Sequence, residues 1–168
     1  LAFTRGVRLG DTLSDGPPVR YEGLPQFSPE CFAVVACPDN ARRKQLAEGL
    51  GQLADEGAVQ VFTDPDNARE PILAAVGELQ FEVVKFRRES EYGVRGEVRP
   101  LPYRAGAWVG DPSARSGRPR VFNTRLARDH RGRAVILANE PFDIRYLQQK
   151  APELGLRPFA DDLFAPAG

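Results

Sequence analysis

The chain is poor in the residues that do chemistry outright: two cysteines, one histidine and one tryptophan in 168 residues. Two cysteines make no disulfide framework. Cys31 and Cys37 bound the apolar run CFAVVAC. In an extended strand they would stand roughly 20 Å apart at ~3.3 Å per residue, well beyond the ~7 Å between Cα atoms that a disulfide spans. They are expected as buried structural thiols in a reducing compartment. His130 sits in the polar stretch Arg-Asp-His-Arg-Gly with no Cys or His at ligand spacing, so it reads as a loop histidine and not a metal ligand. No run approaches the ~18 apolar residues of a membrane span, and no basic, apolar leader opens the chain. Neither a Gly-x-x-x-x-Gly-Lys-Ser/Thr loop, nor a Gly-x-Gly-x-x-Gly after a strand, nor a Cys-x-x-Cys is present. Nothing here is therefore expected to cradle a nucleotide phosphate, and no cofactor or metal is expected in this segment. Only Thr124, by chance, has a histidine close by in sequence. Asp55-Glu56 and Asp161-Asp162 read as solvated carboxylates and not as an acid–base pair.

What is present is core. The chain is 42% apolar and 9% aromatic, enough for one ordinary domain or two small ones. It begins at Leu1, mid-pattern, and is expected to be a piece of a longer protein. Formal net charge is zero but unevenly spread. Residues 87–133 hold twelve arginines against five acids, a balance of +7; residues 1–86 balance at −5 and residues 134–168 at −2. A basic middle of this kind suits a phosphate-facing surface. The competing reading is an arginine-rich solvated face.

Along the chain, Val7-Arg8-Leu9 before Gly10-Asp11 suggests a strand and a tight turn. Pro17, Pro18, Pro25 and Pro29 then punctuate an irregular linker. Cys31–Cys37 reads as a buried strand, stopped by Pro38, with Asp39 or Asn40 placed to cap a helix over about 41–55. Leu46, Leu50 and Leu53 make its apolar face, and Gly57 is placed to end it in the left-handed conformation. Strands are expected over Ala58–Phe62 and Pro71–Val76, hinged at Thr63–Asn67. Gly77 permits a sharp entry into a helix over about 78–90, whose buried stripe is expected to be Leu79, Val83 and Phe86. A strand over Val94–Val98 follows.

The order strand, helix, strand, strand, helix, strand is that of a split βαβ, or ferredoxin-like, plait: an antiparallel sheet with both helices on one face. The opposite face is expected to be free for a partner domain or RNA. Beyond it, Trp108-Val109 reads as a strand end and Ser113–Pro119 as a polar loop. Val121–Arg128 and Ala134–Ala138 read as strands around a turn. Asn139 is placed to cap a helix with Pro141 in its first turn and Ile144, Leu147 and Ala151 inside. Leu156–Phe159 is expected as a last strand.

Two strings are more specific than any periodicity: Glu56-Gly57-Ala58-Val59-Gln60-Val61-Phe62, and Gly77-Glu78-Leu79-Gln80-Phe81. With Ser90-Glu91-Tyr92 and Arg8-Leu9-Gly10-Asp11-Thr12-Leu13 they resemble translational GTPases of the elongation factor G group. Gln80, where elongation factor G usually carries His, makes the class II peptide chain release factors (release factor 3) the most similar. The resemblance implies an α+β fold in three parts. Residues 1–30 would be the end of a β-barrel domain and a linker, residues 31–102 a ferredoxin-like third domain, and residues 103–168 a C-terminal α+β portion. It implies a cytoplasmic, ribosome-bound factor that promotes dissociation of class I release factors, with GTP and magnesium held by a GTP-binding domain outside this segment. That GTP-binding domain, the small ribosomal subunit, ribosomal protein S12 and ribosomal RNA would be its partners, with no membrane. No catalytic residue of the family role falls here, so the segment itself is not expected to be an enzyme.

The candidate contact residues are Arg104, Arg118, Arg120, Arg125, Arg128, Arg131 and Arg133, facing ribosomal RNA or an acidic partner surface, because a guanidinium donates two bonds at once to a phosphate. Arg118, Arg120, Arg131 and Arg133 flank turns and are the better RNA candidates; Arg125 and Arg128 have bracing of the C-terminal sheet as an equal alternative. Two other readings compete with the whole: a fragment of an elongation or ribosome-protection factor, and a stand-alone ferredoxin-like enzyme or small-ligand domain. The latter requires a concave site with convergent polar groups.

Overall fold

A computed structural model describes residues 15–17, 19, 28–37, 39–93, 97–110, 123–129 and 132–161. The expected end of a barrel domain, the Ser113–Pro119 loop and His130 lie largely or wholly outside them. Strand β1 (Cys31–Ala36) is apolar and buried on both faces along its middle, so the sheet that it enters is covered on both sides. Asp39 Oδ1 accepts the Ala41 N–H at 2.9 Å and opens a short 3₁₀ turn over Asn40–Arg42, which feeds helix α1 (Arg43–Asp55). Leu46, Leu50 and Leu53 are buried, as their spacing predicts. Gly57, at φ 73°, ends the helix. Its N–H reaches Ala54 O and the Ala58 N–H reaches Leu53 O, the paired bonds of a Schellman cap.

That cap takes up Ala58, and strand β2 runs Gln60–Asp64, two residues later than expected. Its partner β3 (Asn67–Ala75) starts earlier than expected. The register between them shifts between Phe62 and Asp64. Pro71 lies where that ladder is interrupted, and its missing N–H does no harm there. Helix α2 (Leu79–Tyr92) and strand β4 (Glu97–Leu101) complete the first half. Helices α1 and α2 lie side by side over Ala33, Val35, Leu73 and Ala75.

The face of α2 differs from expectation. Leu79 and Phe86 are 77% and 71% exposed, and Val83 is exposed with them; the buried pair is Phe81 and Val84. The helix carries two apolar stripes, 79/83/86 and 81/84, and spacing alone favours the longer one. Three things set the rotation instead. The link from β3 is three residues long, the Gln80 side-chain oxygen accepts the Gly77 N–H at 2.9 Å, and Arg87 pairs with Glu56 at the end of α1. Gln80 thus closes the side-chain half of a capping box.

The second half comprises β5 (Ala105–Trp108), β6 (Thr124–Asp129), β7 (Ala134–Ala138), helix α3 (Pro141–Lys150) and the two-residue β8 (Arg157–Pro158). The cap of α3 is Glu140, not Asn139: the Asp143 carboxylate accepts the Glu140 N–H at 3.0 Å. The Asn139 N–H is engaged by Asn123 O, which extends the β6–β7 pairing at its open end. Pro141 occupies the first turn as expected, and Ile144 and Leu147 are buried.

Strand β6 also pairs with β2, through Phe62↔Asp129 and Thr63↔Arg128. One antiparallel eight-stranded sheet results, in the order β4-β1-β3-β2-β6-β7-β5-β8, with an α+β architecture. The face of the first four strands that was expected to be free is therefore not free. Phe32, Val34, Phe62, Ile72 and Ala74 are buried against Trp108, Ala127, Val135, Leu137 and Phe159 from the second half. Strand twist accumulated over eight strands curls the sheet around this shared core. The three helices lie on its outer side, α3 over Ala107, Ile136 and Ala138.

Candidate nucleic-acid interface

The β6–β7 hairpin builds the basic surface. Gly132, at φ 78°, turns the chain, and its N–H meets Asp129 O at 3.0 Å. The buried Asp129 carboxylate accepts the Arg133 N–H and its Nε, both at 2.7 Å. The Arg133 guanidinium then lies over the Trp108 ring, 4.1 Å from its centroid. Carboxylate and indole hold this cation in one orientation while two-fifths of its side chain stays exposed, 41%. Arg128 Nη1 donates to Gly132 O at 2.9 Å, across the same turn.

Arg125 has a different environment. Its Nη2 donates to Asp64 Oδ2 across the β2–β6 seam. Asp64 is buried, and its other oxygen accepts the Asp66 N–H at 2.8 Å. Buried carboxylates persist only when paired and hydrogen-bonded in this way. Arg104 is exposed between β4 and β5, with Nη1 4.0 Å from Cys31 Sγ. Both thiols are half-buried. Arg118, Arg120 and Arg131 lie outside the described residues. The structure thus brings Arg128 and Arg133 together on one hairpin, sets Arg125 at the seam, and places Arg104 elsewhere.

Arg104 also borders two clefts. One, of about 420 Å³, lies between α2 and the edge strand β4, lined by Cys31, Phe81, Glu82, Lys85, Glu97 and Arg104 among others. The second, of about 300 Å³, includes Ser28, Glu30, Arg104, Gly106 and Pro141. The first has walls of mixed charge, with Glu82 and Glu97 beside Lys85 and Arg104. Among the described residues no group of three or more His, Cys, Asp or Glu could hold a metal ion. Among them, too, no helix is long and apolar enough to cross a membrane.

Of the string Gly77–Phe81, Gly77 and Gln80 form the helix cap, Phe81 enters the core, Leu79 faces solvent, and Glu78 borders the larger cleft. Gly77 is not held at positive φ, and its N–H is donated to Gln80. Sequence reasoning missed Asp64, Asp129 and Trp108. Asp129 carried a signal, an acid placed before a Gly-containing turn that is followed by Arg133. Asp64 carried none, because its partner is 61 positions away.

Comparison with known proteins gives a consistent result. Residues 21–148 match the family model described as class II release factor RF3, C-terminal domain. Peptide chain release factor 3 of Rippkaea orientalis is 43% identical over 150 residues, covering 88% of this chain and 28% of the relative. Those of Trichormus variabilis and Nostoc punctiforme are 44% identical over 154 residues, covering 90% of this chain and 28% of each relative. The chain spans a little over a quarter of the length of the curated relatives that it matches.

Proposed function

Starting from the fact that this chain belongs to the family of class II release factor C-terminal domains, we propose that it is the ribosome-binding and domain-coupling part of a release factor 3. The whole factor would promote dissociation of class I release factors from the ribosome during translation termination, in the cytoplasm. The match over residues 21–148 carries this reading. GTP and its magnesium ion would be bound and hydrolysed in a part of the factor outside this segment, in keeping with the missing phosphate loop. The segment itself would be non-catalytic.

In this reading residues 31–102 form a ferredoxin-like plait and residues 103–168 its α+β extension, while residues 1–30 end a β-barrel domain. The strand order β4-β1-β3-β2, with α1 and α2 on one face, supports the plait. Small-subunit ribosomal RNA, ribosomal protein S12 and the factor's own GTP-binding domain would be the partners. Arg104, Arg118, Arg120, Arg128, Arg131 and Arg133 would supply the cations. Arg133 is favoured among the described ones because Asp129 and Trp108 hold it ready. Arg125 would brace the sheet instead.

The test is made on the full-length protein. With GTP it should speed the loss of a fluorescently labelled class I release factor from ribosomes after peptide release. Replacing Arg131 by Ala should weaken ribosome binding and lower the salt slope by about one per phosphate contact removed. A full-length protein that leaves the class I factor's residence time unchanged overturns the reading.

A further inference from the structure

Helix α3 turns two aromatic rings to solvent. Its inner stripe, Ile144 and Leu147, is buried, whereas Phe142 and Tyr146 are 63% and 41% exposed. The two rings stand one helical turn apart and stack, with centroids 6.5 Å apart and planes at 28°. One turn further, Lys150 Nζ lies 5.9 Å from the centroid of the Tyr146 ring. Phe142, Tyr146 and Lys150 form one ladder along the helix. Arg145 and Gln149, both exposed, lie beside it. The only acid of α3 is Asp143, half-buried and engaged with the Glu140 N–H, so the ladder's own face carries cations alone; Glu140 and Glu153 lie beyond its two ends.

This differs in kind from the exposed stripe of α2. Leu79, Val83 and Phe86 are mostly aliphatic and have Glu82 and Lys85 beside them, so their chemistry selects no class of partner. On α3, two exposed stacked rings with Arg145 beside them and Lys150 at one end match an unpaired nucleobase: the base stacks on the outer face of Phe142 and neighbouring phosphates meet the cations. A duplex presents no free base faces along its length. A further guanidinium is close by, because Pro141, adjacent to Phe142, lines the smaller cleft together with Arg104; Glu30 is the one acid in that lining.

We propose that the outer face of α3 is a binding site for single-stranded RNA. An unpaired base extends the Phe142–Tyr146 stack, and Arg145 and Lys150 hold the flanking phosphates. Its biological setting rests on the ribosome-directed reading above; its chemistry does not. The test uses this chain with a short fluorescein-labelled oligoadenylate, against an RNA duplex of equal length, by anisotropy at low salt. The single strand should bind more tightly than the duplex. Phe142→Ala and Tyr146→Ala should each weaken binding roughly tenfold or more, with melting unchanged because both rings are surface groups. Tyr146→Phe should retain affinity, whereas Tyr146→Leu should lose it as Ala does. Lys150→Gln should reduce the salt slope by about one. No binding of the oligoadenylate, equal binding of the duplex, or unchanged affinity in folded Phe142→Ala overturns the proposal. A Tyr146→Leu chain that binds like the parent also overturns it, because apolar area and not ring stacking would then be at work, as for a protein partner. Failure here with ribosome function intact in the full-length factor removes this site alone. Oligoadenylate binding in a chain whose full-length factor does not act on class I release factors removes the other reading alone.

Discussion

Asp64 and Arg125 meet across the seam between β2 and β6, and the two are unequal partners. The carboxylate is buried, whereas about a third of the arginine side chain remains exposed. Arg125→Ala leaves that carboxylate with only the Asp66 N–H among the bonds described above, and an under-satisfied buried group costs roughly 1–3 kcal/mol. Urea melts should show that loss in Arg125→Ala, and a smaller one when Asp64→Asn accompanies it, because the neutral amide tolerates burial better. Indistinguishable single and double variants would mean that the pair is no more than a surface contact. Gly106 makes a steric case. A Cβ there would clash with Cε2 of Phe159, whose ring is stacked 6.0 Å from Phe62 and tilted against Trp108 at 4.9 Å. The ring has little room to retreat, so Gly106→Ala should cost about 1–3 kcal/mol in the same melts.

Helix α1 and helix α2 show what a sequence discloses and what it withholds. In α1 the apolar residues form one stripe, so burial of Leu46, Leu50 and Leu53, and termination at Gly57, were legible. In α2 two stripes compete, and the winner depends on Gln80 reaching back to Gly77 and on Arg87 reaching Glu56. Neither bond leaves a periodic trace. The hairpins were visible as runs between turn residues, but the start of β2 moved where the cap of α1 took up Ala58. The pairing of β2 with β6 spans more than sixty positions and rests on two residue pairs, which no local pattern announces. Of the arginines, their concentration was legible and their individual partners were not. The expected contrast follows: Leu50→Ala should cost roughly 2–5 kcal/mol, while Leu79→Ala should stay within about 0.5 kcal/mol, as exposed sites do. Comparable losses at both positions would put α2 in the wrong rotation.

At the scale of the molecule, the curl of the sheet gives both halves one shared core. Phe32, Phe62 and Ile72 from the first half depend on Trp108, Leu137 and Phe159 from the second. The halves should therefore melt together. Calorimetric and van't Hoff enthalpies should agree over a single transition, and Phe159→Ala, expected to cost about 3–5 kcal/mol, should lower that transition without splitting it. Two resolved transitions would mean that the halves are independent. Trp108 lies at the meeting point of these groups and is the only tryptophan of the chain. Its indole is packed against Phe159 on the core side and stacked with the Arg133 guanidinium. Any ultraviolet emission excited at the red edge of protein absorption comes from this one ring. The chain thus carries an intrinsic optical reporter: drawing Arg133 away towards a phosphate should change the intensity, and parting the two halves should shift the colour.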